Sequence, residues 1–224
     1  MTVQTKTAVP NNATFQENLT TLLEEGLAAV EQAMFDVVNS DVAVLRDASR
    51  HILSSGGKRI RPRMVILSYI ACGGRDFTAV ARAAAALELV HTASVVHDDI
   101  NDHGVLRRGK PSVNALWGRT FALLTGDFLF AKVYELMAPL KDLNVELAEA
   151  TVALVEGETL QASAVKENTL NREIYNRIIG LKTAALFKSA ARMGALLANA
   201  PQHVVDSLGH FGYNVGLAFQ VVDD

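Results

Sequence analysis

From Thr14 onward the apolar residues of this chain recur at the spacing of an α-helix, and nowhere do they alternate long enough to make a convincing strand. Phe15, Leu19, Leu22, Leu23, Val30, Met34 and Val37 lie at helical intervals, and Thr14 with Glu17 has the pattern of a capping box. Ser54-Ser55-Gly56-Gly57 breaks that periodicity, and Pro62 suits the first turn of a new helix. That helix should stop at Cys72-Gly73-Gly74, with Thr78 placed to cap the next. The alanine-rich stretch from Ala79 to Leu89 has high helix propensity and runs on into Val90 to Asp102. Gly104 to Lys110 reads as a loop, Pro139 to Asn144 as a helix break and Asn168 to Asn171 as a junction, and Ala200-Pro201 starts the last helix. The expectation is an all-α fold: one domain of roughly eight helices over residues 14–224, after a disordered tail at 1–13.

Half of the 224 residues are hydrophobic, enough for one sizeable core. A net charge of −3 and a pI near 6.1 give no electrostatic reason to expect a nucleic-acid partner. A single cysteine, Cys72, can form no internal disulfide, which fits a reducing compartment. No run reaches the ~20 uncharged residues of a membrane span. The first dozen residues lack the apolar centre of a signal peptide, so cytoplasm is the expected location.

Three short segments carry chemistry. Val95-Val96-His97-Asp98-Asp99-Ile100-Asn101-Asp102 ends an apolar helix on carboxylates, and Asp98 and Asp102, four apart, share one face. Like charges so placed repel unless a cation sits between them. Oxygen-only ligands point to magnesium, although a solvated helix terminus would carry the same residues. His91 lies two turns earlier on that face, where a lone histidine is more often a satisfied core or surface group than a functional one; His97 is rotated away. Gly56-Gly57-Lys58-Arg59-Ile60-Arg61-Pro62 sets a flexible loop before a helix start, with Lys58 and Arg61 on one side. That is either a phosphate site or a solvated basic turn. Leu106-Arg107-Arg108-Gly109-Lys110-Pro111 follows the acidic helix closely, and paired guanidinium groups suit a diphosphate. Two phosphate clamps beside one acidic metal site imply phosphorylated substrates plus magnesium.

In order and spacing, Gly57-Lys58-Arg59-Ile60-Arg61-Pro62, Asp98-Asp99-Ile100-Asn101-Asp102 and Arg107-Arg108-Gly109-Lys110-Pro111 resemble three signatures of the trans-polyprenyl diphosphate synthases. Gly126-Asp127, Glu156-Gly157-Glu158 with Gln161, Lys182-Thr183 and Phe219-Gln220-Val221-Val222-Asp223-Asp224 resemble further motifs of that family. The resemblance implies an isoprenoid synthase helical bundle around a central cavity, with two aspartate-rich motifs facing each other, and a homodimer. It implies a magnesium-dependent condensation of isopentenyl diphosphate with an allylic diphosphate. Asp98 and Asp102 would hold magnesium, with Asp99 supporting, and Asp223 and Asp224 would hold a further magnesium. Arg107, Lys182, Thr183 and Gln220 would contact the allylic diphosphate, while Lys58, Arg61, His91 and Arg108 would hold isopentenyl diphosphate. Alternatives are a non-catalytic partner subunit of a heteromeric synthase and a class I terpene cyclase; the cyclase has no use for Lys58, Arg61 and His91.

In that family the product's tail grows down a tunnel beneath the acidic motif. Ala93 and Ser94 are small where short-chain members commonly place an aromatic floor, so the expected product is longer than farnesyl diphosphate. The chain ends at Asp224, inside the second aspartate-rich motif. The expectation is therefore a synthase lacking its C-terminal part, of weak or no activity if these 224 residues are the whole protein.

Overall fold

The glycine, proline and asparagine punctuation of the sequence falls at helix ends in the computed structural model, which describes residues 12–223 and their side chains from Gln16. The first four helices are α1 (Asn12–Val37), α2 (Ala43–Ser54), α3 (Ile60–Ala71) and α4 (Phe77–Asn101). A hairpin of two short strands, β1 (Leu106–Arg107) and β2 (Lys110–Pro111), leads into α5 (Val113–Met137), which is broken at Gly118. A single 3₁₀ turn (Lys141–Leu143) precedes α6 (Asn144–Glu167). α7 (Arg172–Ile179) passes through one π-helical turn (Gly180–Ala184) into α8 (Ala185–Leu197), and α9 (Gln202–Asp223) follows. The all-α expectation holds. Because α7, the π turn and α8 are continuous, the nine helices among the described residues form eight rods.

Local details differ from the sequence reading in three places. Asp76, not Thr78, caps α4: its carboxylate accepts the Thr78 backbone N–H at 3.0 Å. α1 is already helical at Asn12, two residues before the expected boundary, while residues 1–11 and the Thr14 side chain lie outside the described set. The segment read as a loop folds into the hairpin, with Leu106 opposite Pro111 and Arg107 opposite Lys110. Its two turn residues, Arg108 (φ 52°) and Gly109 (φ 76°), both have the positive φ of a type I′ turn.

α4 is the centre of the bundle. Residues 83–90 are buried without interruption, because alanine lets α5, α1, α3 and α8 approach on different sides. Leu87 and Leu89 are fully buried there, each contributing roughly 1.5–3 kcal/mol by leaving water. By length and composition α4 could cross a bilayer, yet 78% of its apolar window is buried inside the bundle. The packing of α8 on α3 and α9, and of α6 on the π turn, sets a ring of elements around the C-terminal half of α4.

Candidate functional site

Within that ring lies a cavity of about 630 Å3. Lys58, Arg61, His91 and Arg108 line one end of it. α3 starts at Arg59, which is held in the left-handed conformation (φ 48°), and no side chain caps the helix. Arg59 is pinned by the Glu31 carboxylate, by the Leu53 carbonyl at 2.9 Å and by Glu88 at 3.3 Å. The Arg61 guanidinium stacks over the Phe187 ring, 5.3 Å from its centroid, and its Nε is buried with no hydrogen-bond partner. Gly57 (φ 152°) lets the hairpin close on this end, since a Cβ there would stand 2.5 Å from Arg108 Nη1.

Too little negative charge accompanies these cations. Burial, helped by Arg108, holds the Arg61 guanidinium below its ordinary pKa. Burial and then the charges of Arg61 and Arg108 keep His91 well below the usual imidazole range, hence neutral. Glu88 is 3% exposed, and burial pushes its carboxyl up despite the pull of Arg61 and Arg59. Its Oε2 has no hydrogen-bond partner. Such a cluster is matched by an incoming polyanion.

The other end is mixed. Lys182 Nζ reaches Asp98 Oδ2 at 3.1 Å and Gln161 Oε1 at 3.2 Å. The Thr183 hydroxyl donates to Gln220 Oε1 at 2.9 Å. Lys182 and Thr183 are adjacent in sequence, yet both line the cavity, because the π turn re-aims side chains that a regular helix would spread further. Gly157 of α6 backs that turn: a Cβ there would stand 2.6 Å from the Lys182 nitrogen. Asp223 lines the cavity from α9. Asp102 ends α4 at the exposed rim, its N–H bonded to the Asp98 carbonyl at 2.8 Å, so the two carboxylates keep their one-turn spacing.

A second cavity of about 290 Å3 lies beside the first between α4, α5 and α6. Ser94 and Leu154 line both, and His97, Leu123, Phe130 and Glu158 line only the second. Burial and the nearby Asp98 push the Glu158 carboxyl up to about 7, with Lys182 and Ser94 pulling the other way.

The structure thus brings Lys58, Arg61, His91, Ser94, Asp98, Arg108, Lys182, Thr183, Gln220 and Asp223 around one cavity and leaves four other expected residues off its lining, Asp102 at the rim and Asp99, Arg107 and Ala93 elsewhere. Arg107 is bonded by Nη2 and Nε to Asp99, which is 2% exposed, so these two hold each other and fix the hairpin to α4. Ala93 is fully buried in the core and does not line the path beneath the acidic motif; Ser94 alone does. Asp224 lies outside the described residues. Sequence reasoning missed the roles of Arg59, Glu88, Gln161 and Phe187 here. Only Arg59 and Gln161 stood inside quoted motifs.

The acidic residues suit magnesium. Asp98, Asp102 and Asp223 offer only oxygen, and among the described residues no three His, Cys, Asp or Glu side chains converge to hold an ion by themselves. Magnesium usually takes one or two carboxylates and completes its shell with water and substrate phosphate, which this donor set permits.

Comparison with known proteins agrees with this geometry. The polyprenyl synthetase family profile matches residues 42–224. The chain is 36% identical over 212 residues to the all-trans-nonaprenyl-diphosphate synthase (geranyl-diphosphate specific) of Rhodobacter capsulatus, covering 94% of this chain and 65% of that protein. It is 41% identical over 204 residues to heptaprenyl diphosphate synthase component 2 of Geobacillus stearothermophilus, covering 90% of this chain and 63% of that one. Among solved structures, the polyprenyl synthase from Caulobacter crescentus CB15 in complex with calcium and isoprenyl diphosphate superposes with a TM-score of 0.88 at 37% identity. That match covers 93% of this chain and 64% of the other. The chain therefore spans less than two thirds of the length of these relatives. With its helical bundle, its acidic α4 terminus and the profile match over most of its length, this chain belongs to the polyprenyl synthetase family.

Proposed function

We propose that the protein is a trans-prenyltransferase that condenses isopentenyl diphosphate with an allylic diphosphate, giving a polyprenyl diphosphate longer than farnesyl diphosphate and releasing diphosphate. The observation that carries this reading is the cavity itself, with buried cations at one end and the Asp98–Lys182 pair at the other. Two anionic groups fit such a cavity; one does not use both ends.

Lys58, Arg61 and Arg108, with neutral His91 as a hydrogen-bonding neighbour, hold isopentenyl diphosphate. Lys182, Thr183 and Gln220 hold the allylic diphosphate from the π turn and α9. Arg107 acts from behind by bracing Asp99, and so the end of α4. Asp98 and Asp102 would hold magnesium, with Asp223 and Asp224 opposite. Bound there, the metal would neutralise the departing diphosphate and favour ionisation of the allylic C–O bond. Lys182 stabilises the same developing anion when it exchanges Asp98 for phosphate. Leu154, Val95 and Phe219 on the cavity wall exclude the water that would quench an allylic cation. No nucleophilic side chain is required.

Relatives named for nonaprenyl, heptaprenyl and octaprenyl products support the longer chain length. The synthase reading implies a homodimer, and the exposed Leu116, Leu123, Leu124, Val152 and Val155 on α5 and α6 offer an apolar face for a second copy. The relative named component 2 favours a second reading, in which that face takes a different partner chain.

Full-length protein with magnesium, labelled isopentenyl diphosphate and allylic primers of several lengths should give labelled polyprenyl products. Asp98→Ala should lower turnover by about 100-fold or more, as loss of one charge-stabilising group does elsewhere. Absence of product with every primer would overturn the assignment.

A further inference from the structure

Glu158 is the one carboxylate lining the second cavity, whose wall also carries Ser94, His97, Asn101 and Arg119 among its apolar side chains. It projects from α6 into the second cavity and not into the first, so it touches the path beneath the diphosphates rather than the diphosphates. The two cavities meet at Ser94 of α4 and Leu154 of α6. Leu154 and Glu158 are one helical turn apart on α6, which puts Glu158 immediately beyond that junction. The path continues: a third cavity of about 180 Å3 shares Phe130 with the second and is walled by Val90, Val133, Met137 and Leu147. Two small cavities therefore follow one another along α4, the nearer of mixed lining with Glu158 beside its mouth and the farther mostly apolar.

That side chain is poorly satisfied. Glu158 Oε1 is buried and has no hydrogen-bond partner, a condition that costs about 1–3 kcal/mol and calls for an explanation. A leucine or methionine would fill the same space without the cost. The neighbouring groups act on the carboxyl but leave Oε1 without a bond: the Lys182 ammonium bonds Asp98 and Gln161, and the Ser94 hydroxyl, which helps hold the carboxyl down, donates to the His91 carbonyl at 2.9 Å. Nor would a diphosphate supply one, since a carboxylate repels it.

The geometry points to Glu158 as a specificity-determining residue that gates entry of the growing prenyl tail from the diphosphate cavity into the two smaller cavities along α4. The inference rests on the synthase reading above. Its physical basis is steric and polar. An apolar tail entering here must displace or bend aside a carboxyl that it cannot hydrogen-bond, whichever protonation state that group holds. A small side chain removes the obstacle, and a rigid aromatic one closes the passage.

The test is product length in full-length protein, measured by sizing labelled products from one allylic primer. Glu158→Gln, which keeps size and polarity, should reproduce the wild-type distribution. Glu158→Ala should shift it longer by at least one five-carbon unit, and Glu158→Phe should shift it shorter. A merely structural role would lower total turnover without moving the distribution. Unchanged lengths in both the Ala and Phe variants would overturn the inference. So would loss of all condensation in Glu158→Gln, since the carboxylate would then be needed for the chemistry itself. A wild-type protein that makes no prenyl product would instead sink the synthase reading, and the gate with it.

Discussion

Glu88 shows how one buried residue balances stability against ligand affinity. It is the nearest acid to Arg61 and Arg108, and it shares Arg59 with Glu31. Without ligand it supplies negative charge that the cationic end otherwise lacks; with diphosphate bound, that charge opposes the ligand. Glu88→Gln keeps the shape and removes the charge. We expect it to destabilise the free protein by about 3 kcal/mol, as breaking a buried ion pair does. Inorganic diphosphate should then raise the melting temperature of the variant more than that of wild type, because a more positive pocket binds it more tightly. Equal melting temperatures without ligand, or a smaller rise in the variant, would refute this account of Glu88. The sequence marks Lys58 and Arg61 as phosphate-binding candidates, but Glu88 reads there as one more helix residue. Its importance comes from burial, which periodicity alone did not assign to a charged side chain.

Among elements, α4 and the π turn sit at opposite ends of legibility. An alanine-rich run with no polar face can only be a helix buried on most sides, so α4 and its position are readable from composition. The π turn is not. Gly180-Leu181-Lys182-Thr183-Ala184 would continue an ordinary helix, of which the π turn is a rare single-turn variant. What distinguishes them is contact with α6, where Gly157 lets the backbone of the turn approach. Gly157→Ala should therefore push the turn away, at roughly 1–3 kcal/mol for an overpacked contact. We expect condensation to fall at least tenfold while far-ultraviolet circular dichroism stays at the wild-type level. Unaltered kinetics would mean that Lys182 and Thr183 do not depend on this contact. The hairpin after α4 is a similar case. Its basic residues are obvious in the sequence, yet the turn at Arg108-Gly109 sends Arg108 to the cavity and leaves Arg107 on Asp99.

In the whole molecule, the second cavity lies beside an apolar face of α5 and α6. Leu123 and Leu124 are 48% and 47% exposed, on the same helix that supplies Leu129 to the core and Phe130 to the second cavity. A face of this kind in water favours association. Light scattering of full-length protein should give a mass of two copies at micromolar concentration, and a Leu123→Glu, Leu124→Glu double variant should be monomeric. A monomeric wild type would remove the homodimer and leave the partner-chain reading to be tried with co-expressed proteins.

The sequence by itself determined the all-α class, most helix boundaries and the charged residue types at both ends of the cavity, because these depend on local periodicity, breakers and charge. Only the tertiary structure decided which of those residues meet. It put Asp98 with Lys182 and Thr183 with Gln220, withdrew Arg107 to Asp99 and Ala93 to the core, and set Glu158 in the wall of the second cavity. The physical reason is that a helix pattern gives the face a residue occupies relative to its neighbours in sequence. What that face looks onto is fixed by the packing of helices distant in the chain.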